Sequence, residues 1–480
     1  MQSWVILMSA GSHGILRRFG VLLGAQWFRE ILQSVFFIVL ARSSSTTYGE
    51  FMLAFSIAQV VVFVAEFGLN QHLVTLLAES ESEKTELLAE VSALKGVLLL
   101  VGLAAAQGFA SWQRYSPSLS ILIFVVVAGV GFQALTTSFY VAYQVDGRQH
   151  VEARIRALSA TLGFGYGLTA LLAGLALVWV ACYLAIETFA GLGVALVETL
   201  TRTRSSLSRP RLGRIVSRAR GGLIFVLMAL AAILYNKSNI FFLQSHAGPE
   251  GVAQYSVTWQ MVDGISVLTS NLLLKNVLFP LFVHLNREGP GEVARVARNC
   301  ARWLLLASLP IMFVLFVESD RLIGIIYGAG YARAIDLQRL LVATVAFSFL
   351  HNLAAYLMMA MRQERLLLGF YLVGLAFNLV VCAVIIPRFP LEGAAVSIVL
   401  TKGLMMLLTA GTCQRRMGLI TRDAWLQTAL AVLAGAALYA LGKAWLLREV
   451  GEILALAPIL ILALKWHREP SRPVGATVTF

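Results

Sequence analysis

Apolar residues come in long unbroken blocks along this chain, separated by short polar breaks, with no period-two alternation that would mark strands. Each block runs for about 20 residues, the length that carries a helix across the hydrocarbon core of a bilayer. Polar breaks divide the sequence into about fourteen such blocks, and the last, ILALAPILILAL at 453–464, is short for a span. The pattern therefore predicts twelve to fourteen transmembrane helices. The blocks at 222–285, GLIFVLMALAAILYNKSNIFFLQ and then VAQYSVTWQMVDGISVLTSNLLLKNVLFPLFVHL, are the most informative because they contain Lys237, Asp263 and Lys275. A charged side chain at mid-membrane costs about 2.5–3.5 kcal/mol on insertion scales, so such residues face a wet interior or a partner.

Composition agrees with the pattern. Hydrophobic residues make up 59% of the 480 positions and charged residues 13%, against about 45–50% and about 25% in a soluble domain. The fold class expected is an all-α integral membrane protein, about 14 helices in two lobes around a central cavity. The net charge of +13 could suit nucleic acid, but the location of the cations excludes that partner. Arg42, Arg114, Arg321, Arg333, Arg388, Lys443 and Arg448 fall on one side of the segmentation. Arg29, Lys237, Lys275, Arg339 and Lys402 fall within spans, and the remaining basic residues, Lys95, Arg154 and Arg156 among them, fall at the opposite side. Lysine and arginine accumulate in short cytoplasmic loops, which puts the N-terminus and the 202–220 loop in the cytoplasm and, with fourteen spans, the C-terminus as well. The basic stretch RTRSSLSRPRLGRIVSRAR at 202–220 reads as a topology-setting linker, with contact to anionic lipid headgroups as the competing reading. Cys182, Cys300, Cys382 and Cys413 are dispersed without metal-ligand spacing and read as small apolar residues, so no metal or cofactor is expected.

The domain organisation expected is a six-helix lobe at 1–200, a basic cytoplasmic linker at 201–220, a second six-helix lobe at 221–415, and additional helices with a tail at 416–480. The segment ESESEKTELLAEVSALK at 79–95 has helical spacing and reads mostly as a solvated face. Two similar stretches, FFIVLARSSSTTYGEFMLAFSIAQ and FFLQSHAGPEGVAQYSVTWQMVD, share an FF, a small polar turn and a tyrosine, Tyr48 or Tyr255. Two lobes in the same orientation form a parallel repeat, related by an axis along the membrane normal.

The stretch VLARSSSTTYGEFMLAFSIAQVVVFVAEFGLNQHLVTLLAE at 39–79 resembles the start of bacterial polysaccharide exporters, with its A-R, variable turn, Y-G and F-G-L. AQYSVTWQMVDGI, VLFPLF, LIGIIYGAGYARA and RFPLEGAAVSIVL follow at corresponding intervals, so the resemblance covers roughly residues 15–415. It implies the MOP superfamily and, within it, the Wzx-like flippases of undecaprenyl-linked oligosaccharide. The turn SSSTT lacks the Gly-Pro often found there, and Glu66 stands where an aspartate is common; neither departure threatens the fold. Polysaccharide polymerase and assembly proteins are the further partners this resemblance implies.

Arg29 lies about ten residues into its span, roughly 15 Å deep, and is expected to bind the substrate phosphate; an ion pair with Glu66 or Glu187 is the competing reading. Glu30 points about 100° away around the helix, which predicts that it does not pair with Arg29 on one face. Lys237 and Lys402 are expected to join Arg29 as substrate-binding residues. Lys275 is the fourth, its competing reading a side chain that snorkels to the nearer interface. Asp263, Glu66, Glu187 and Glu30 are candidates for ion coupling or charge pairing, and their depths leave Asp263 within reach of Lys237. Asn236, Asn271, Asn276, His351 and Asn352 are candidate sugar contacts, each with interhelical hydrogen bonding as its alternative. Arg339, close to a span end, reads as interfacial.

No GxxxxGK[ST] phosphate loop, paired carboxylates, Ser-His arrangement or large polar loop stands out. The function expected is therefore not enzymatic: a flippase moving undecaprenyl-(pyro)phosphate-linked oligosaccharide from the cytoplasmic to the periplasmic leaflet by alternating access. A lipid II type flippase or a cation-coupled drug exporter of the same superfamily is the nearest alternative, and a membrane glycosyl ligase or polymerase the alternative of another class.

Overall fold

The structure, a computed structural model, describes residues 12–66, 69–70, 73–74, 77, 84–203, 223–445 and 447–468, and every regular element in it is helical. Most of the linker expected at 201–220 lies outside the described residues. Helices α1 (Ser12–Ser43), α2 (Ser45–Glu66), α3 (Lys84–Trp112), α4 (Pro117–Val145), α5 (Gln149–Leu172) and α6 (Leu177–Thr203) form the first series. The next helix, Leu223–Thr269, contains Gly248 at φ 65 and ψ −168, immediately before Pro249. Glycine alone adopts that backbone readily and proline cannot donate into a preceding turn, so the segment is two helices, α7 (223–247) and α8 (249–288). Within α8, Ser270–Leu278 is π-helical and Phe279–Glu288 resumes the α form. Then follow α9 (Pro290–Val317), a short helix Ser319–Tyr327, and α10, made of Ala332–Leu341 and Ala343–Ala360. The chain ends with α11 (Glu364–Ile385), α12 (Pro390–Met417), α13 (Arg422–Trp445) and α14 (Arg448–Arg468).

Thirteen of the described helices are long and apolar enough to cross a membrane, and one of them, Ile224–Asn286, is 63 residues long. At about 1.5 Å per residue it would reach roughly 95 Å, about three times the hydrocarbon thickness. Broken at Gly248 it supplies two crossings, which gives the fourteen that the sequence blocks predict. Sharp ends confirm the segmentation: Ser116 accepts a hydrogen bond from the Leu119 amide ahead of Pro117, and α12 starts on Pro390 and stops at Gly418 in the left-handed conformation. These are the proline-first, glycine-last ends that sequence leads one to expect.

The chain divides into two compact units, residues 1–233 with 247–253 and residues 234–246 with 254–480. In the first, α4 packs on α2, α3 and α6, while α5 packs on α1 and α6. Its centre is a group of rings, Phe36, Phe37, Phe51, Phe55 and Tyr183, with Phe36 and Tyr183 centroids 4.2 Å apart. Gly49 at the start of α2 lies so close to residue 249 that an added Cβ would stand 1.8 Å from the Pro249 carbonyl oxygen. In the second unit, α10 packs on α8, α9 and α12, and α12 packs on α11. Helix α7 meets α11 through Ser238, which donates to Asn378 Oδ1 (2.8 Å), and through Asn378 Nδ2, which donates to Asn239 Oδ1 (3.2 Å). Within the second unit α10 packs on α9 and α12, and α11 on α12, as α4 packs on α3 and α6, and α5 on α6, in the first.

The segment expected at 79–95 as mostly a solvated face is partly outside the described residues. Its described part belongs to α3 and buries Leu87, Leu88, Glu90, Val91 and Lys95. Burial here follows from the helix extending inward from Lys84, so that its apolar stripe packs on α4 long before residue 93.

Helices α13 and α14 pack on each other and against α9. Arg448, the first residue of α14, donates to Asp320 (2.8 and 2.9 Å) and to the Val317 carbonyl at the end of α9 (2.6 Å). The cation thus caps a helix C-terminus, where carbonyls are unpaired and the dipole is negative. That guanidinium holds the Asp320 carboxyl well below the usual carboxylate range. A depressed folded-state value adds stability above the unfolded value of about 3.9, and this is lost as pH falls through the folded one. Asp320→Asn is therefore expected to lower the melting temperature at pH 7 and to leave it unchanged at the most acidic pH the fold tolerates. The change is no more than about 1 kcal/mol for so exposed a pair. Identical melting curves of variant and wild type at pH 7 would contradict this.

Candidate functional site

Each unit contains a buried polar cluster in an otherwise apolar bundle. In the second unit, Lys402 of α12 ends in a cage built by two other helices. Its Nζ lies 2.8 Å from Asp263 Oδ1 of α8, donates to Ser348 Oγ of α10 at 3.0 Å, and sits 4.7 Å from the Trp259 ring centre. Two oxygens and an aromatic face use the donors and charge of the ammonium. The Lys402 side chain is 9% exposed and Asp263 24%, so the carboxylate is the wetter partner.

Sequence depth put Lys237 within reach of Asp263, but the ion-pair partner of Asp263 is Lys402. Lys237, partly buried on α7, feels the charge of Asp263 and has no ion-pair partner among the described residues. Lys275 is exposed on the π-helical segment and also has no ion-pair partner among the described residues. Asn271 and Asn276 belong to the same segment, and their side chains lie outside the described residues.

His351 is closed off as a sugar contact. Its Nδ1 lies 3.0 Å from Thr409 Oγ1 and its Nε2 3.3 Å from the Tyr371 hydroxyl. Thr409 already donates its proton to the Met405 carbonyl, so Nδ1 carries the hydrogen of that contact. Asn236 and Asn352 are both partly buried. Arg339 binds Ser319 Oγ and Asp336 near a helix end, as an interfacial residue does.

In the first unit, Arg29 Nε donates to Glu187 Oε1 and Nη2 to Gln133 Oε1 at 3.2 Å. Glu30 is not excluded from this group as the 100° offset predicted. Arg29 Nη1 comes within 3.6 Å of Glu30 Oε1, because the long arginine side chain bends back along its own helix, while Glu30 itself remains about half exposed. Glu66 serves a different cation. It accepts from Asn70 (3.3 Å) and Thr137 (3.2 Å), and Asn70 and Thr137 in turn accept from Lys95 at 2.6 and 3.3 Å. Lys95 also donates to the Ala134 carbonyl at 2.7 Å and is wholly buried. Three oxygen acceptors around one amine are the coordination of a protonated lysine.

A small open pocket lies beside Arg29, walled by Gln133, Tyr140, Arg156, Ser159, Glu187 and Gly191 among others. Arg156 is held by Glu152 at 2.8 Å and lies 4.4 Å over the Tyr140 ring. Lys95, Arg156, Gln133 and Tyr140 escaped the sequence reading, the first two because they were assigned to span edges. Starting α3 at Lys84 would have placed Lys95 about 16 Å along the helix. Among the described residues no three His, Cys, Asp or Glu side chains converge as metal ligands would.

Residues 15–286 match the family model described as polysaccharide biosynthesis protein. A probable low-salt glycan biosynthesis flippase, Agl15 of Haloferax volcanii, is 23% identical over 217 residues, 44% of this chain and 45% of that protein. The match thus spans less than half the length of this curated relative. Among solved structures, the lipid II flippase MurJ in an inward closed conformation superposes with a TM-score of 0.65 at 13% identity, over 93% of this chain and 98% of that one. An inward-facing MATE family multidrug transporter of the MOP superfamily gives 0.63 at 14% identity, over 81% and 94%. These likenesses establish the fold, that of a multi-pass bundle of membrane-spanning helices, and the family match covers more than half of the sequence. The chain belongs to the polysaccharide biosynthesis protein family.

Proposed function

We propose that the protein moves an undecaprenyl-(pyro)phosphate-linked oligosaccharide from the cytoplasmic to the periplasmic leaflet of the bacterial inner membrane by alternating access of its two lobes, 1–200 and 221–415, with 416–480 as an added helical hairpin and tail. The observation that carries this reading is Lys237, an intramembrane cation with no ion-pair partner among the described residues. A lipid-linked glycan brings a phosphate that supplies the missing charge. Lys402 and Arg29 are further substrate-binding candidates, each in its own unit and each able to exchange its carboxylate, Asp263 or Glu187, for an anion, and Lys275 is the fourth. The acids then act as resting counterions, Asp263 for Lys402, Glu187 and Glu30 for Arg29, and Glu66 for Lys95. The names of the relatives, a glycan biosynthesis flippase and a lipid II flippase, support the substrate class. The arginine bias of alternate loops supports cytoplasmic termini, and a polymerase with its assembly proteins is the natural recipient of the glycan.

Transport makes and breaks no bond; its physical work is to keep sugar hydroxyls in water, since each unpaired one placed in hydrocarbon costs several kcal/mol. A drug-cation exporter needs acids left over for its cargo, whereas Asp263, Glu66 and Glu187 each have partners here. In liposomes loaded with the native lipid-linked glycan, Lys237→Gln is expected to slow flipping at least tenfold while Lys237→Arg retains most of it. Flipping by Lys237→Gln at the wild-type rate would sink the proposal.

A further inference from the structure

We infer that the corner where α9 begins and α14 ends is a binding site for the headgroup of an anionic phospholipid; the inference is independent of the cargo proposed above. The corner belongs to the second unit and brings the ends of three helices together. Trp466 of α14 is buried, its Nε1 donates to Gln427 Oε1 of α13 at 2.7 Å, and the Arg302 guanidinium of α9 lies 4.5 Å over its ring. A guanidinium stacked on an anchored indole has a fixed plane. Its N–H groups lie in that plane, the flat fork that matches phosphate oxygens.

Depth comes next. Trp303 of α9 and Trp425 of α13 are 44% and 47% exposed, and tryptophan collects at the membrane–water boundary. Arg298 and Arg302 stand just before Trp303, about 6 Å apart along the axis at 1.5 Å per residue. Roughly 5–8 Å is also the thickness left to each headgroup layer when a core of about 30 Å is taken from a bilayer of about 40–45 Å. The arginines therefore lie among headgroups, and exposed Leu426, Leu433 and Ile461 offer acyl chains an apolar flank on α13 and α14.

Charge decides which headgroup fits. Arg295, Arg298 and Arg302 recur at spacings of three and four, one stripe along α9. Glu292 pairs with Arg295, and at the start of α13 Arg422 and Asp423 offset each other in net charge. Arg298, together with Lys465 and Arg468 in the last turn of α14, has no ion-pair partner among the described residues. A zwitterionic headgroup carries its own amine and leaves these cations unmatched, whereas an anionic one does not. Basic clusters at the cytoplasmic edge of a span attract anionic lipid in this way. A headgroup held by cations of both helices joins α14 to α9 here, as Arg448 joins them at their other ends.

The test measures binding of three probes to the full-length protein in detergent by native mass spectrometry: dioleoyl phosphatidylglycerol, dioleoyl phosphatidylcholine and undecaprenyl phosphate. The wild type is expected to bind phosphatidylglycerol about tenfold or more tightly than phosphatidylcholine. Combining Arg298→Gln, Lys465→Gln and Arg468→Gln should remove that preference. Combining Arg114→Gln, Arg388→Gln and Lys443→Gln, the same loss of charge on the other side of the segmentation, should keep it. Undecaprenyl phosphate should bind both triple variants as it binds the wild type. Equal binding of the two phospholipids by the wild type, a preference that survives in the first triple variant, or an equal loss in the second would each overturn the site. A fall in undecaprenyl phosphate binding confined to the first triple variant would give the corner to the cargo lipid and overturn it as a phospholipid site.

Discussion

Asp263→Asn is expected to destabilise the protein by about 3–5 kcal/mol, the cost of leaving one member of a buried ion pair uncompensated. The charge stranded is Lys402, whose side chain is 9% exposed and which has only Ser348 and the Trp259 ring as remaining partners. Those two stabilise an ammonium far less than a carboxylate at 2.8 Å does. The reverse change, Lys402→Met, is expected to be milder, because Asp263 is the more exposed partner and lies close enough to Lys237 for its charge to be felt there. The double variant Asp263→Asn with Lys402→Met should recover most of the loss, since replacing a whole buried pair is often neutral. Thermal melting of the three variants in one detergent decides the matter. Equal melting temperatures for Asp263→Asn and wild type would show that the pair contributes nothing to the fold.

Gly49→Ala should be nearly as damaging, although it adds one methyl. The new Cβ would stand 1.8 Å from the Pro249 carbonyl oxygen and 2.5 Å from its carbon. Both are backbone atoms and cannot rotate aside. Overpacking of a tight contact costs about 1–3 kcal/mol when neighbours can yield, and here α2 or the segment 247–253 must move as a whole. Gly102 supplies the control. There an added Cβ meets Val61 Cγ1 at 2.5 Å, the end of a side chain, so Gly102→Ala should be rescued by Val61→Ala. No substitution at Pro249 removes its carbonyl, so Gly49→Ala should have no such rescue. Expression and melting of both pairs test this, and recovery of Gly49→Ala by Pro249→Ala would refute the steric account.

The helical class, the crossings and the turn between α7 and α8 were legible because each rests on local chemistry: the length of apolar blocks, and the HAGPE stretch with its Gly-Pro. The two tyrosines that the sequence set side by side, Tyr48 and Tyr255, are both wholly buried. What could not be read was pairing across the sequence. Periodicity gave depths for Lys237, Asp263 and Lys402, and depth alone favoured the nearer residue along the chain. The partner that Asp263 has is 139 residues away, and only packing of α8 against α12 selects it. Lys95 was hidden for a different reason. A span was started at the first uninterrupted apolar run, whereas α3 begins at Lys84 and carries its polar residues inward on one buried side. Tyr140 and Gln133 gave no signal at all, since a tyrosine and a glutamine in an apolar helix acquire meaning only from what they lie beside.

Gly248 also bears on how the protein is made. The apolar run from Ile224 to Asn286 is 63 residues long, and its one break, around QSHAGPE at 244–250, contains no lysine or arginine. As the chain leaves the ribosome, nothing basic at that break resists translocation or holds it back. By the charge rule the two helices are expected to enter the bilayer as a hairpin, its direction set by the arginines that precede α7 and follow α8 in the sequence. The glycine and proline at the tip have a separate task. They fix where the hairpin folds, so that two crossings emerge from what insertion machinery would otherwise meet as one greasy segment too long for any membrane.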